Sequence, residues 1–173
     1  MDTQDKPQVI VSPPLVPLIT LVSCIAMQVF WPLHVFARLN GYVRFPIGAA
    51  LLLAGAAMTA RGGRALRSSG TNVQTSLPSL VLVDKGIYGW TRNPMYVGGS
   101  LAMFGVAFLF TLDWLPLIFP VSLAVLHFGI VRREERYLEA KFGEEYLRYA
   151  TRVPRYLGVV AALRLKKESA GSA

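Results

Sequence analysis

Four long apolar stretches decide what this chain can fold into. They cover residues 15–36, 43–60, 95–112 and 114–131. Crossing the hydrocarbon core of a bilayer takes roughly 20 mostly apolar residues, with about 17 as the lower limit, and all four stretches qualify. The expected architecture is therefore all-α: a polytopic membrane protein with four transmembrane helices, followed by a cytoplasmic C-terminal amphipathic helix. Residues 1–173 read as a single integral membrane domain. Only 16% of the chain is charged against 53% hydrophobic, a balance that fits lipid better than water. Arg44, near the entry of the second stretch, is long enough to snorkel to the interface. The first stretch reads as a span and not as a cleaved signal, because Asp2 and Asp5 outweigh Lys6 before it and the apolar run is too long.

The net charge of +8 raises nucleic acid as a partner, but its placement favours a membrane. Of the 18 Lys and Arg, only Arg38, between the first two spans, and Arg44, at the entry of the second, fall on the side opposite the termini. The remaining 16 lie at the ends and in the central loop. Positive charge marks the cytoplasmic face, so both termini are expected there, in a bacterial inner membrane or an endoplasmic reticulum. Contact with anionic lipid headgroups is the second expectation. One cysteine, Cys24, excludes an intrachain disulfide, and with His34 and His127 it makes no structural zinc site. No metal and no nucleic acid are expected.

Residues 1–14, with paired Pro13 and Pro14, read as a flexible lead-in to the two spans in 15–60. In the second span Gly48, Ala50, Ala54 and Gly55 allow close helix approach. A loop over 61–94 is long for a compact membrane protein, which points to function or to order against another part. Around Asp113 the chain turns back at once, so the spans in 95–131 form a tight hairpin open to the cytoplasm. Residues 132–165 read as a cytoplasmic or interfacial helical tail, and 166–173 as disordered.

Projected as a helix, Leu138, Phe142, Tyr146 and Tyr149 share a face with Glu135, and Phe128 and Val131 extend that stripe backwards. Glu134 flanks it and Arg133 points away. Gly143 weakens the case for an unbroken helix. A carboxylate on a buried face at the hydrocarbon edge needs a cation or donors. Two readings are open for Glu135: an ion pair with Arg132, Arg92 or another loop arginine, or a wall of a site for a cationic ligand. Upstream, Asn93 suits an N-cap and Pro94 the first helical position. A helix start there, with Arg92 just before it, suits a carboxylate or phosphate. Tyr96 lies in the first turn, while Gly98 and Gly99 let a backbone or ligand come close.

"GIYGWTRNPMYVGG" (residues 86–99) resembles the G-x-Y-x-x-x-R-[H/N]-P-x-Y-x-G signature of the integral membrane methyltransferases, the isoprenylcysteine carboxyl methyltransferase and phospholipid N-methyltransferase family. "EERYLEAKFGEEYLRYATRVPRYL" is similar to their closing E-E-x-x-L…F-G-x-x-Y-x-x-Y…V-x-R. The likeness spans about residues 70 to 157. It implies methyl transfer from S-adenosylmethionine to a hydrophobic or lipid-borne acceptor at the cytoplasmic membrane edge. By the same resemblance Arg92, Asn93, Pro94, Tyr96 and Gly98 line the cofactor pocket. Glu134 and Glu135 then face the cofactor, and Gly86 and Tyr88 shape the entrance. Glu135 and Arg132 are the implied catalytic groups, Arg132 holding an acceptor carboxylate. The pattern often has His where this chain has Asn93, which cannot titrate. Two other classes remain: an NADPH-dependent membrane reductase of the steroid-reductase type, disfavoured by Met95 and Gly99, and a non-enzymatic assembly or lipid-binding protein.

Overall fold

The computed structural model describes residues 6–156. The expected interfacial segment beyond Tyr156 and the disordered end fall outside the described residues. Within them every regular element is helical, with no strand.

Helix α1 (Leu15–Phe30) ends earlier than the apolar run does. Pro32 cannot continue a helix, and the Trp31 amide closes the last turn on the Met27 carbonyl at 2.8 Å. The chain then crosses through a single tight turn, Phe36–Arg38. Helix α2 (Gly41–Ser68) starts where the Asn40 side chain accepts from the Tyr42 amide, the usual N-cap arrangement. At 28 residues it is about 42 Å long. It outruns the expected end of the span at residue 60 by two turns, so Arg61, Arg64 and Arg67 lie on helix and not on loop.

Helix α3 (Pro94–Phe110) lies along α2 in the closest contact of the molecule, and small residues make that contact possible. A Cβ added at Gly98 would sit 2.7 Å from the Gly55 carbonyl, and one at Gly105 would sit 2.8 Å from the Gly48 carbonyl. Gly98, expected in the cofactor pocket, is thus consumed by packing against α2. A left-handed Thr111 ends α3, and Asp113 lies buried in the turn that follows.

Helix α4 (Leu115–Leu126) returns against α1. Thr20 and Ser122 share a hydrogen bond at 2.6 Å, and Cys24 packs with Met103, Ala107 and Leu115. The axis then widens into one π-helical turn, His127–Val131, before continuing as α5 (Arg132–Phe142). An extra residue in that turn breaks the regular projection. Val131 is fully buried, but Phe128 is 59% exposed, so the stripe does not run back through the π turn. Gly143, at φ +52°, separates α5 from α6 (Glu144–Arg152). Such a conformation suits glycine.

Two helical stretches, Gly41–Ser68 and Leu115–Phe142, are long and apolar enough to cross a membrane; α1 and α3 are shorter and also apolar. Residues 6–14, expected as a free lead-in, lie against the π turn. The Ile10 amide donates to the Gly129 carbonyl at 3.1 Å, Arg133 donates to the Gln8 carbonyl at 3.0 Å, and Val9 and Val11 pack on the cluster of Val16, Leu126, Ile130 and Val131. A wide turn leaves carbonyls without their helical donors, and Ile10 supplies one.

Candidate functional site

Where α3 begins and the π turn gives way to α5, the chain encloses a cavity of about 760 Å³, within the usual range for a small-molecule site. The N-terminal strap, the 71–83 loop, the start of α3, α5 and α6 all contribute to its wall. The loop is tied down rather than free. Thr71 Oγ1 accepts from the Leu80 amide, Asn72 donates to the Pro78 carbonyl, and the Ser79 amide reaches the Tyr137 hydroxyl on α5.

Glu135 sits at the centre of the ionic part of the wall. Arg155 grips it through two nitrogens, Nε at 2.8 Å from Oε1 and Nη2 at 2.6 Å from Oε2, and Arg92 Nη2 lies 3.1 Å from Oε1. The Arg92 and Glu135 side chains are each about one-eighth exposed (12% and 13%), so this ion pair is largely desolvated. The sequence left an arginine pair and a ligand wall open for Glu135, and the geometry combines them: it is paired and it lines the cavity. Arg92 also donates to the Tyr146 hydroxyl at 3.3 Å. Its Nε is buried without a partner.

Glu134 has a different setting. Tyr96 donates to its Oε1 at 2.7 Å. Burial pushes its carboxyl up to about 7, and the neighbouring Glu135 adds to the rise while the Tyr96 hydrogen bond opposes it. Tyr88 is likewise pushed up by burial and by Glu134. The Tyr146 hydroxyl is raised to about 12, again mainly by burial, so these phenols are neutral donors at physiological pH.

Arg155, absent from the sequence-derived set, is brought in by the segment after α6. The Arg92 amide donates to the Pro154 carbonyl at 2.9 Å, while Thr91 Oγ1 and Asn93 Nδ2 both donate to the Arg155 carbonyl at 3.0 and 3.1 Å. Asn93 does occupy the N-cap position of α3 without capping through its side chain, because the amide holds Arg155 instead. The signal for Arg155 was present as the final position of "VPR" in the closing motif. Tyr149 was legible only as a member of the apolar face, yet its hydroxyl donates to the Tyr88 carbonyl at 2.9 Å.

Arg92, Asn93, Pro94, Tyr96, Tyr88, Glu134 and Glu135 all reach the cavity wall, but three expected residues do not. Gly98 faces α2. Gly86 is exposed at φ +62°, where it shapes the loop backbone. Arg132 is exposed, its guanidinium 5.8 Å from the Phe128 ring centre. The two residues are one turn apart on the outward face left by the π turn, so Arg132 is turned away from the ion-paired core.

Residues 43–145, more than half of the chain, match the phospholipid methyltransferase family. The chain belongs to that family. Among curated relatives, the protein-S-isoprenylcysteine O-methyltransferase of Saccharomyces cerevisiae is 34% identical over 80 residues, 42% of this chain and 30% of the yeast protein. An uncharacterized protein of Haemophilus influenzae is 38% identical over 79 residues, 46% of this chain and 95% of its own length. The chain thus spans under a third of the yeast relative. No solved structure matches. The family match takes in α2, α3, α4 and α5 and stops short of Tyr146, Tyr149 and Arg155.

Proposed function

We propose that this protein transfers a methyl group from S-adenosylmethionine to a hydrophobic or lipid-borne acceptor at the cytoplasmic membrane edge. In this reading α1, α2, α3 and the run from α4 through the π turn cross the bilayer, with both termini in the cytoplasm. α5, α6 and the 71–83 loop then form a cytosol-facing cap. The single observation that carries the reading is the cavity itself. It gathers Arg92, Tyr96, Glu134 and Glu135, from two distant signature segments, at the end of the α3–α4 hairpin where apolar helices meet charged chain.

The residues fit the methyl donor. Arg92 lies on the cavity wall at the positive end of α3, a setting that suits the donor's carboxylate. Glu134 carries no guanidinium and can face a cation. Tyr88, Tyr146 and Tyr149 supply rings and hydroxyls beside these groups. When bound, the donor supplies an electrophilic methyl on a sulfonium. The chain's task is then to align the acceptor and to exclude water, since such displacement depends on geometry more than on strong acid or base. Arg155 and Glu135 act by fixing Arg92. The strap over residues 6–14 closes the side of the cavity next to Pro7 and Val9.

Calorimetry on the detergent-purified full chain tests this. S-adenosylmethionine and its demethylated product should bind in the micromolar range, and Arg92→Ala and Glu135→Ala should each remove binding while the helical circular dichroism persists. Wild-type affinity in both variants would overturn the site, and NADPH binding without donor binding would overturn the reaction.

A further inference from the structure

We infer that Thr91 and Asn93 are positioning residues: together they clasp the backbone of Arg155 and so seat its guanidinium on Glu135. What position 93 must supply is an N–H donor, not a titrating group. This rests on the methyl-transfer reading above, since the site held in this way is the one proposed for the methyl donor. Residues 153–156 follow α6 without regular structure of their own, so contacts from other segments fix their place. Val153 is buried against Tyr146 and Tyr149. The Pro154 carbonyl accepts the Arg92 amide at 2.9 Å. Tyr156 shares a hydrogen bond of 3.0 Å with His127 Nδ1 in the π turn. The Arg155 carbonyl takes two side-chain donors, Thr91 Oγ1 at 3.0 Å and Asn93 Nδ2 at 3.1 Å. Both donors are buried. Thr91 Oγ1 also accepts the Asn93 amide at 3.3 Å, which ties the two into one unit.

The clasped carbonyl and the guanidinium belong to one residue, so fixing the first aims the second. Arg155 reaches Glu135 through Nε and Nη2, and Glu135 in turn meets Arg92 at 3.1 Å. The Arg155 side chain is 37% exposed, and a half-exposed arginine loses rotamer freedom by keeping one geometry. A backbone already held in place leaves less freedom to lose. The chemistry of position 93 follows from its partner. A carbonyl oxygen only accepts, so the group that faces it must donate. Asparagine donates through Nδ2. A histidine Nδ1–H, the same number of bonds from the backbone, would do the same, whereas aspartate would set oxygen against oxygen. Both residues that the R-[H/N]-P signature admits here carry such a donor. The Asn93 side chain makes no capping bond to α3, so its replacement does not remove a helix cap.

Two measurements on the detergent-purified full chain test this. The first is tryptic cleavage after Arg155 under native conditions, followed by mass spectrometry. The protease must take the Arg155 side chain, so the cut reports its release from Glu135. Cleavage tracks the open population, and loss of one buried hydrogen bond in Asn93→Ala should speed it about tenfold. The second is calorimetry with S-adenosylhomocysteine, whose affinity should fall about tenfold in the same variant. Asn93→His should stay near wild type in both, and Asn93→Asp should be at least as impaired as Asn93→Ala. In an Arg155→Ala background, Asn93→Ala should have almost no further effect on affinity, because the guanidinium it aims is gone. Should Asn93→Ala lose its helical circular dichroism, Thr91→Val against Thr91→Ser puts the same question to the other donor, with Ser near wild type and Val impaired. Unchanged cleavage in Asn93→Ala would overturn the clasp, and faster cleavage with unchanged affinity would overturn the positioning role. Additive losses in the double variant would overturn action through Arg155, and wild-type behaviour of Asn93→Asp would overturn the need for a donor. Absence of S-adenosylhomocysteine binding in the wild type would strike the methyl-transfer reading, while the cleavage rates would still decide the clasp.

Discussion

The α3–α4 hairpin ends in two buried carboxylates, and their surroundings have little in common. At the closed end Asp113 accepts one backbone N–H, from Phe36 at 2.6 Å. Its second oxygen is buried without a hydrogen-bond partner. Nearby the Trp114 indole donates to the Trp31 carbonyl at 2.7 Å. These bonds fasten the 31–40 connection to the hairpin. At the open end Glu135 meets two guanidiniums, which in turn touch Tyr146 and the segment beyond α6. A single amide fixes a loop in place, whereas a carboxylate shared by two arginines holds three chain segments around a cavity. The first is a structural fastening, and in the proposed reading the second also positions a donor toward a ligand.

The comparison can be broken most sharply at Glu135. Glu135→Gln leaves two arginines short of their counter-ion, and removal of one partner from a buried pair costs about 3–5 kcal/mol. The lower figure is expected because Arg155 is 37% exposed. Thermal unfolding in detergent should show that loss together with loss of donor binding. Asp113→Ala removes one charge-assisted hydrogen bond, worth about 2 kcal/mol. It should lower the unfolding midpoint while donor affinity stays unchanged; a binding defect there would erase the distinction between the ends. Tyr149→Phe deletes the bond to the Tyr88 carbonyl, worth about 1 kcal/mol, and should weaken donor binding only slightly.

The smallest effect concerns pH. Glu134, raised to about 7 by burial, is mostly protonated below that value and charged above it. Its carboxylate can balance a sulfonium only when ionised. Preference for S-adenosylmethionine over its demethylated product should therefore grow about fivefold as pH rises through 7, and Glu134→Gln should flatten the curve. A preference that falls with pH would place the sulfonium elsewhere.

Much of the open end was legible before any coordinates. Asn93-Pro94 marks the start of α3 because proline at a first helical position lacks only an N–H that would have no helical partner. Tyr146 and Tyr149, on the same face as Glu135 by periodicity, are each 3% exposed. Projection failed at Phe128, since it assumes 3.6 residues per turn and the π turn departs from that; Arg132, assigned by resemblance, is exposed beside it. Gly98 was assigned to a ligand because a glycine signals close approach without saying to what, and here the neighbour is α2.

Residue order by itself determined the helical class, the charge segregation and the boundaries set by Pro94 and Gly143. Those follow from local chemistry: apolar length, missing amide donors and permitted backbone angles. Only tertiary structure decided that Arg155 would join Arg92 on Glu135, and that the N-terminal strap would wall the cavity. It also decided that one glutamate would be ion-paired while its neighbour met a phenol. Those outcomes depend on contacts between residues far apart in the chain, and an ionisable group takes its role from what surrounds it in space.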